Sequence, residues 1–215
     1  MIRPLLACLI LATPALAQDA PLIARGNEPG WVLTLAPEGM VLSTESGERV
    51  ETPLPQALPF GMGLRHDASP DLAAEVLPLL CHDSMTGMPY PKSVSVIRGE
   101  ERLTGCGGDP LSLLQGDWQV TRLEGMPSSG LTLEVARDRL AGRSACNRYT
   151  TALTLTGETL TIAAPAATRM ACPAAAMQTE AAFFALLGRV SGFDLGSDGA
   201  LLLLGEGKEL LRATR

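Results

Sequence analysis

The chain is expected to fold as a mainly β (α+β) protein: two small antiparallel β domains, the second with a single packed helix. Three observations carry this. Short apolar–polar alternations recur between Gly-, Pro- and Asp-containing turns along the 215 residues. Only one segment, Pro173–Val190, has the length and composition of a helix, so the strand–helix alternation that builds a parallel sheet is missing. The cysteines that follow the leader fall two in each half.

The leader is "MIRPLLACLILATPALAQDAP". Arg3, the apolar run Pro4–Ala12 and the small-x-small string Ala15-Leu16-Ala17 form a secretory signal peptide, residues 1–17, cleaved after Ala17. The run is shorter than the ~20 residues of a membrane span, and no second apolar stretch follows, so no integral span is expected. Cys8 has too few apolar residues ahead of it for a lipoprotein signal, and lipid anchoring is not expected. Cleavage removes Arg3 and Cys8, leaving four cysteines and a net charge near −7. No basic run occurs, which argues against nucleic acid and anionic membranes as partners. Fifteen arginines against two lysines, with abundant Ala, Gly and Leu, suggest GC-rich bacterial coding and hence the periplasm.

Residues 18–107 form the first module. "WVLTLAPEGMVLSTESGERVETP" reads as strands at Trp31–Leu35, Met40–Thr44 and Arg49–Thr52. Pro78 disfavours a helix interior, so Glu75–Cys81 is read as an edge-type strand. "KSVSVIRG" alternates Val94 and Val96 on one face, and "RLTGCGG" follows across the Gly99-Glu100 turn. Residues 108–115 are the linker, opened by "CGGDP".

Residues 116–215 form the second domain. Trp118 and Val120 alternate in "GDWQVTRLEG", with Leu123 joining after a slip in phase. A hairpin turning at Arg137-Asp138 sets Leu131, Leu133 and Val135 on one face, and "YTTALTLTGETLTIAA" repeats the pattern around Thr156-Gly157. In the helix, Pro173 suits the first turn, Met177, Ala181, Phe184 and Leu187 make the core stripe, and Gly188 suits the C-terminus. Two strands close the chain, for about five strands, a helix and two more. No G-x-G-x-x-G, G-x-x-x-x-G-K-[ST] or G-x-S-x-G string is present.

From Gly116 onward the chain resembles the META domain (HslJ-like) family of bacterial envelope proteins. "GDWQVTRLEG", "GRSACNRYT", "ATRMACP", the helix with Glu180 and "GALLLLGEGKELL" carry the resemblance. It implies a small antiparallel β domain with one packed helix and a link to heat or antibiotic stress, in a family with no established enzymatic activity. Many members have Gly where this chain has Ala145 and Thr151. The first half is similar to an uncharacterised envelope module, through "GNEPGW", "CHDSMTGMPYP" and "LTGCG".

The four cysteines lack the close C-x2–4-C pairs of a zinc site and the C-x-x-C of a redox motif, so no metal or other cofactor is expected. An even count in an oxidising compartment reads as disulfides. Three pairings are possible, and the within-domain one, Cys81–Cys106 with Cys146–Cys172, is expected. Each would close a loop of about 26 residues, worth about 3.5 kcal/mol in the chain-entropy model. His82 adjoins Cys81 but points to the opposite face of a strand, and nothing brings His66 to a thiol, so no catalytic residue is assigned. Glu100-Glu101 and Asp194/Asp198 are read as solvated turn charges. Asp83, followed by Ser84 and Thr86, suits an Asx-turn, with a ligand contact as its sharper alternative. Asn147, Arg148, Thr168 and Arg169 would flank the second bridge. The plain reading has Asn147 in a tight turn, Thr168 capping the backbone, and the arginines paired with carboxylates such as Glu180. The sharper one has Arg148 and Arg169 contacting an anion or a peptide carboxylate. The expected function is a non-catalytic envelope-stress accessory that binds an unidentified envelope protein or peptide. A periplasmic thiol-redox protein, or an inhibitor of a secreted enzyme, is the alternative.

Overall fold

The structure, a computed structural model, describes residues 20–215. The expected signal peptide, its cleavage site and Cys8 lie outside the described residues. The first half contributes β1 (Leu22–Asn27), β2 (Gly30–Ala36), β3 (Gly39–Thr44), β4 (Arg49–Thr52), β5 (Ala57–Phe60), β6 (Gly63–Ser69), β7 (Leu72–Leu77), β8 (Cys81–His82), β9 (Pro89–Tyr90), β10 (Lys92–Arg98) and β11 (Glu101–Gly107). A short helix, α1 (Leu111–Leu114), joins it to the second half. There follow β12 (Gly116–Leu123), β13 (Met126–Pro127), β14 (Thr132–Ala136), β15 (Arg139–Ser144), β16 (Asn147–Leu155), β17 (Leu160–Ile162), β18 (Ala166–Ala167), α2 (Ala174–Leu187), β19 (Gly192–Leu195), β20 (Leu201–Gly205) and β21 (Lys208–Thr214).

The expected fold class holds: two curled antiparallel sheets, with one substantial helix in the second half. The first sheet runs β4-β3-β2-β1-β11-β10-β7-β6-β5, and the second runs β17-β16-β15-β14-β12-β21-β20-β19. Each sheet brings its first long strand beside its last, β1 on β11 and β12 on β21. Period-two alternation decides which face is inside. Trp31, Leu33 and Leu35 of β2 meet Met40 and Leu42 of β3, and Val94 and Val96 of β10 lie fully buried beside Ala74 and Val76 of β7. In the second sheet, Trp118, Val120, Leu133, Val135, Leu201 and Leu203 line the inner face. The slip expected before Leu123 is a register shift between Val120 and Arg122.

Three readings need correction. The strand expected at Glu75–Cys81 runs Leu72–Leu77 and is internal, bonded to both β6 and β10. Pro78 has no N–H to give the ladder, so the strand stops before it, and Cys81 starts the separate β8–β9 pair. Strands β1, β5, β6 and β19 and the two-residue strands β9, β13 and β18 are additions to the strands expected from the sequence. The helix buries Phe183, Leu186 and Leu187, whereas Met177 is 54% exposed and Phe184 only partly buried. Apolar residues, mostly small, occupy nearly all of this helix, so periodicity marks no single face, and the larger side chains decide the orientation. Phe183 and Phe184 both meet Tyr149 of β16 edge-on at 5.5 Å.

Chain order and core do not coincide. Met88, in the loop between β8 and β9, is buried in the second half's core, and Tyr90 packs against that core. His82 Nε2 lies 2.8 Å from Asp194 Oδ1, so the 81–90 segment ties the two halves together.

Candidate functional site

The strings "SACNRY" and "TRMAC" are brought together at the open end of the β15–β16 hairpin. Ser144 pairs with Asn147 across a two-residue turn in which Ala145 has φ 45°, a left-handed conformation that suits glycine. The Cys146–Cys172 disulfide, with a Cα–Cα separation of 6.2 Å, clips this turn to the segment that leads into α2.

Asn147 is the hub. Its backbone N–H and its Nδ2 donate to the two carboxylate oxygens of Glu180 on α2, at 3.1 and 2.9 Å. Its Oδ1 accepts from the Thr168 hydroxyl and the Met170 N–H, both at 2.9 Å. Ser144 Oγ adds a further donor to Glu180 at 2.5 Å. The Thr168 hydroxyl in turn accepts the Arg148 N–H at 3.2 Å. Burial alone would raise the Glu180 carboxyl, but hydrogen bonds from Ser144 and Asn147 outweigh it and hold it below the ordinary carboxylate range. Asn147 and Thr168 therefore sit where a structural role requires them, stitching strand, loop and helix. Thr151 is buried, with its hydroxyl donating to Ala163 O at 2.7 Å.

The arginine reading changes. Glu180 is bonded by Ser144 and Asn147 and pairs with no arginine. Arg148 and Arg169 are exposed and make no ion pair among the described residues. Spacing could not reveal that Arg143, two residues before the turn, is the direct cross-strand partner of Arg148.

The first half repeats the arrangement around Cys81–Cys106, whose Cα atoms are 5.5 Å apart. Asp83 Oδ1 accepts from Met85 N, Thr86 N and the Thr86 hydroxyl, which is the expected Asx-turn. Its other oxygen accepts Asn27 Nδ2 at 3.0 Å. Burial raises this carboxyl too, and its four hydrogen bonds prevail, lowering it. Asn27 comes from "GNEPGW", whose Gly26 has no room for a Cβ, because one would fall inside the Trp31 indole. Gly105 of "LTGCG" is closed off by the same ring and by Arg25 O. The three strings of the first module thus converge on one corner.

Neither histidine meets a cysteine: His66 Nδ1 is 3.1 Å from Pro55 O, and His82 meets Asp194. Asp194 is consequently not a turn charge; it lies in β19 and joins the halves. Among the described residues no three His, Cys, Asp or Glu side chains cluster as metal ligands. A cleft of about 650 Å³ opens between the halves, with Arg25, Tyr90, Asp109, Asp138 and Leu155 on its walls. Tyr90 comes from "CHDSMTGMPYP", but the other walls come from distant, individually ordinary positions.

The second half is therefore a small antiparallel β domain, plugged by one helix and stapled by one disulfide. It is a META domain: residues 111–215 match that family, starting at α1. A protein from Burkholderia xenovorans, with a structure solved by NMR, is similar at 23% identity over 49% of this chain and 85% of its own, with a TM-score of 0.40. No curated protein matches the chain. No helix among the described residues is long and apolar enough to cross a membrane, and the two disulfides fit an extracellular or periplasmic compartment.

Proposed function

We propose that the protein is a non-catalytic binding module exported to the bacterial periplasm, where it serves as an envelope-stress accessory. One observation carries this reading. The polar groups of the META signature are spent on one another, through Glu180, Asn147, Ser144 and Thr168, while the arginines beside them remain free at the surface. Such an arrangement supports a rigid face for contact and leaves its carboxylate without a reactive partner. Both cysteine pairs act as staples, since each closes a loop within one half.

Osmotic-shock fractionation of a bacterial host, with N-terminal sequencing and thiol titration, tests the proposal. The released protein is expected to begin at Gln18 and to show no free thiol when unfolded without reductant. Retention in the cytoplasm with reactive thiols would overturn it. A pair reduced readily at the potential of cellular thiols would favour the redox alternative.

A further inference from the structure

We propose that the outer face of the β15–β16 hairpin, centred on Arg143 and Arg148, binds a multivalent phosphate oxyanion. This deepens the binding-module reading and rests on it. Arg143 and Arg148 are direct cross-strand partners, both exposed. Residues so placed have Cβ atoms about 4.5–5.5 Å apart, and like charges there repel. Acidic residues are not scarce in the chain, at 23 against 17 basic ones, and six other arginines have found a carboxylate. The contrast with Arg122 and Arg212, which also face each other across strands, is direct. There Asp198 and Glu209 neutralise Arg212, whereas Arg143 and Arg148 have no carboxylate.

The site is also mounted rigidly. Thr168 N donates to Arg148 O at 3.0 Å and Met170 N to Asn147 Oδ1, so the backbone at Arg169 is held against the Arg148 strand from both sides. The Cys146–Cys172 bridge fixes the same two segments. Glu180 is already occupied by Ser144 and Asn147 and cannot serve as counter-ion, and Glu134, diagonal to Arg143 on β14, makes no ion pair with either arginine. Guanidinium groups bind carboxylates and phosphates through paired N–H donors. Two uncompensated guanidinium groups side by side match a doubly charged phosphate better than a single carboxylate. The sequence hid this, because no basic run exists and strand register pairs positions 143 and 148. The acidic net charge opposes approach to an anionic surface, which favours a soluble phosphate over a lipid headgroup.

Thermal unfolding of the purified protein in sodium pyrophosphate, against sodium chloride of equal ionic strength, reads the site. Pyrophosphate at ten times its dissociation constant is expected to raise Tm by about 3–6 °C, and chloride is not. The Arg143→Gln/Arg148→Gln double variant should lose this response while its Tm without pyrophosphate stays level or rises, because a repulsion has been removed. An equal response in the double variant, or no response in the wild type up to tens of millimolar, overturns the proposal. So does a fall in the variant's own Tm, which would make the arginines structural. Co-sedimentation with phosphatidylglycerol–phosphatidylcholine vesicles, against phosphatidylcholine alone, separates the sources. Arginine-dependent sedimentation with the anionic vesicles assigns the phosphate to a headgroup, and its absence alongside a pyrophosphate response assigns it to a soluble ligand. Failure here leaves the export and thiol results, and the reading they test, untouched.

Discussion

The two halves share a plan and differ in what stabilises them. Each closes its first strand on its last, carries one disulfide, and sets an Asn–carboxylate pair beside it, Asn27 with Asp83 and Asn147 with Glu180. Their cores are unequal. Among the described residues 22 buried side chains form the second core and 12 the first, and only the second is plugged by a helix. Without such a plug, the first sheet leaves Leu58, Phe60, Met62 and Leu64 exposed along its β5–β6 edge. The difference teaches where each half gets its stability: the second from apolar burial, the first to a larger degree from its cross-link.

Phe183→Ala should break the comparison most sharply. The side chain is fully buried at the centre of the second core, and such truncations cost about 3–5 kcal/mol. Each half holds one buried tryptophan, Trp31 and Trp118, so Trp31→Phe and Trp118→Phe backgrounds report the halves separately. In urea, the loss is expected mainly in the Trp118 transition. An equal shift of both transitions would show that Met88 and the His82–Asp194 contact weld the halves into one cooperative unit.

Removing the disulfides comes next. Each closes a loop of about 26 residues, worth about 3.5 kcal/mol in the chain-entropy model. The cost is similar, but the smaller core has less in reserve. Cys81→Ser/Cys106→Ser should leave the Trp31 signal unfolded at 37 °C, while Cys146→Ser/Cys172→Ser should lower the Trp118 midpoint and keep a folded state. The reverse order would show that burial does not set the reserve.

These differences were only partly legible in the sequence. Strands with clean alternation and few charges, such as Trp31–Leu35 and Lys92–Arg98, could be read directly, because one face is uniformly apolar. β6, "GLRHDAS", is polar enough to pass for a loop; what makes it a strand is its ladder to β7 and the pair Arg65–Glu75 across it. β19 is four residues long, too short to show a period. Cysteine pairing followed from count and position. The hubs could not, since hydrogen bonds such as Asn147 to Glu180 span 33 residues and depend on how α2 docks. Nor could Arg143 be picked out, because its importance lies wholly in register.

The two hubs give a smaller effect that depends on pH. Both carboxyls lie below their ordinary range, so the stability they add is present above roughly pH 4–4.5 and is lost as pH falls through their folded-state values. Glu180→Gln and Asp83→Asn should each cost about 1–2 kcal/mol at neutral pH, from weakened charge-assisted hydrogen bonds at half-buried sites. Each should also flatten the acid limb of its own half's stability curve. Glu180→Gln is expected to cost more, because it loosens a helix from a hairpin, whereas Asp83 serves mostly its own turn. Urea midpoints between pH 3 and 7 check this, and an unchanged acid limb in both variants would dissociate the hubs from acid stability.

The smallest effect separates the halves by sign. Non-glycine residues with positive φ occur only in the second half among the described residues, at Glu124, Arg137, Ala145 and Glu206. In the first half, Gly47, Gly61, Gly87 and Gly99 occupy such positions. A left-handed residue with a Cβ costs about 1–2 kcal/mol, part of which glycine returns as entropy of the unfolded chain. Ala145→Gly should therefore stabilise the second half by about 0.5 kcal/mol. Gly99→Ala has open space around the new methyl group but φ 56°, and should destabilise the first half by about 1 kcal/mol through backbone strain alone. Urea midpoints read at Trp118 and Trp31 measure the two. A loss on Ala145→Gly would mean that the hairpin needs the rigidity of alanine to hold Cys146 and Asn147 in place, so that the strain at this turn belongs to the mount of the arginine face.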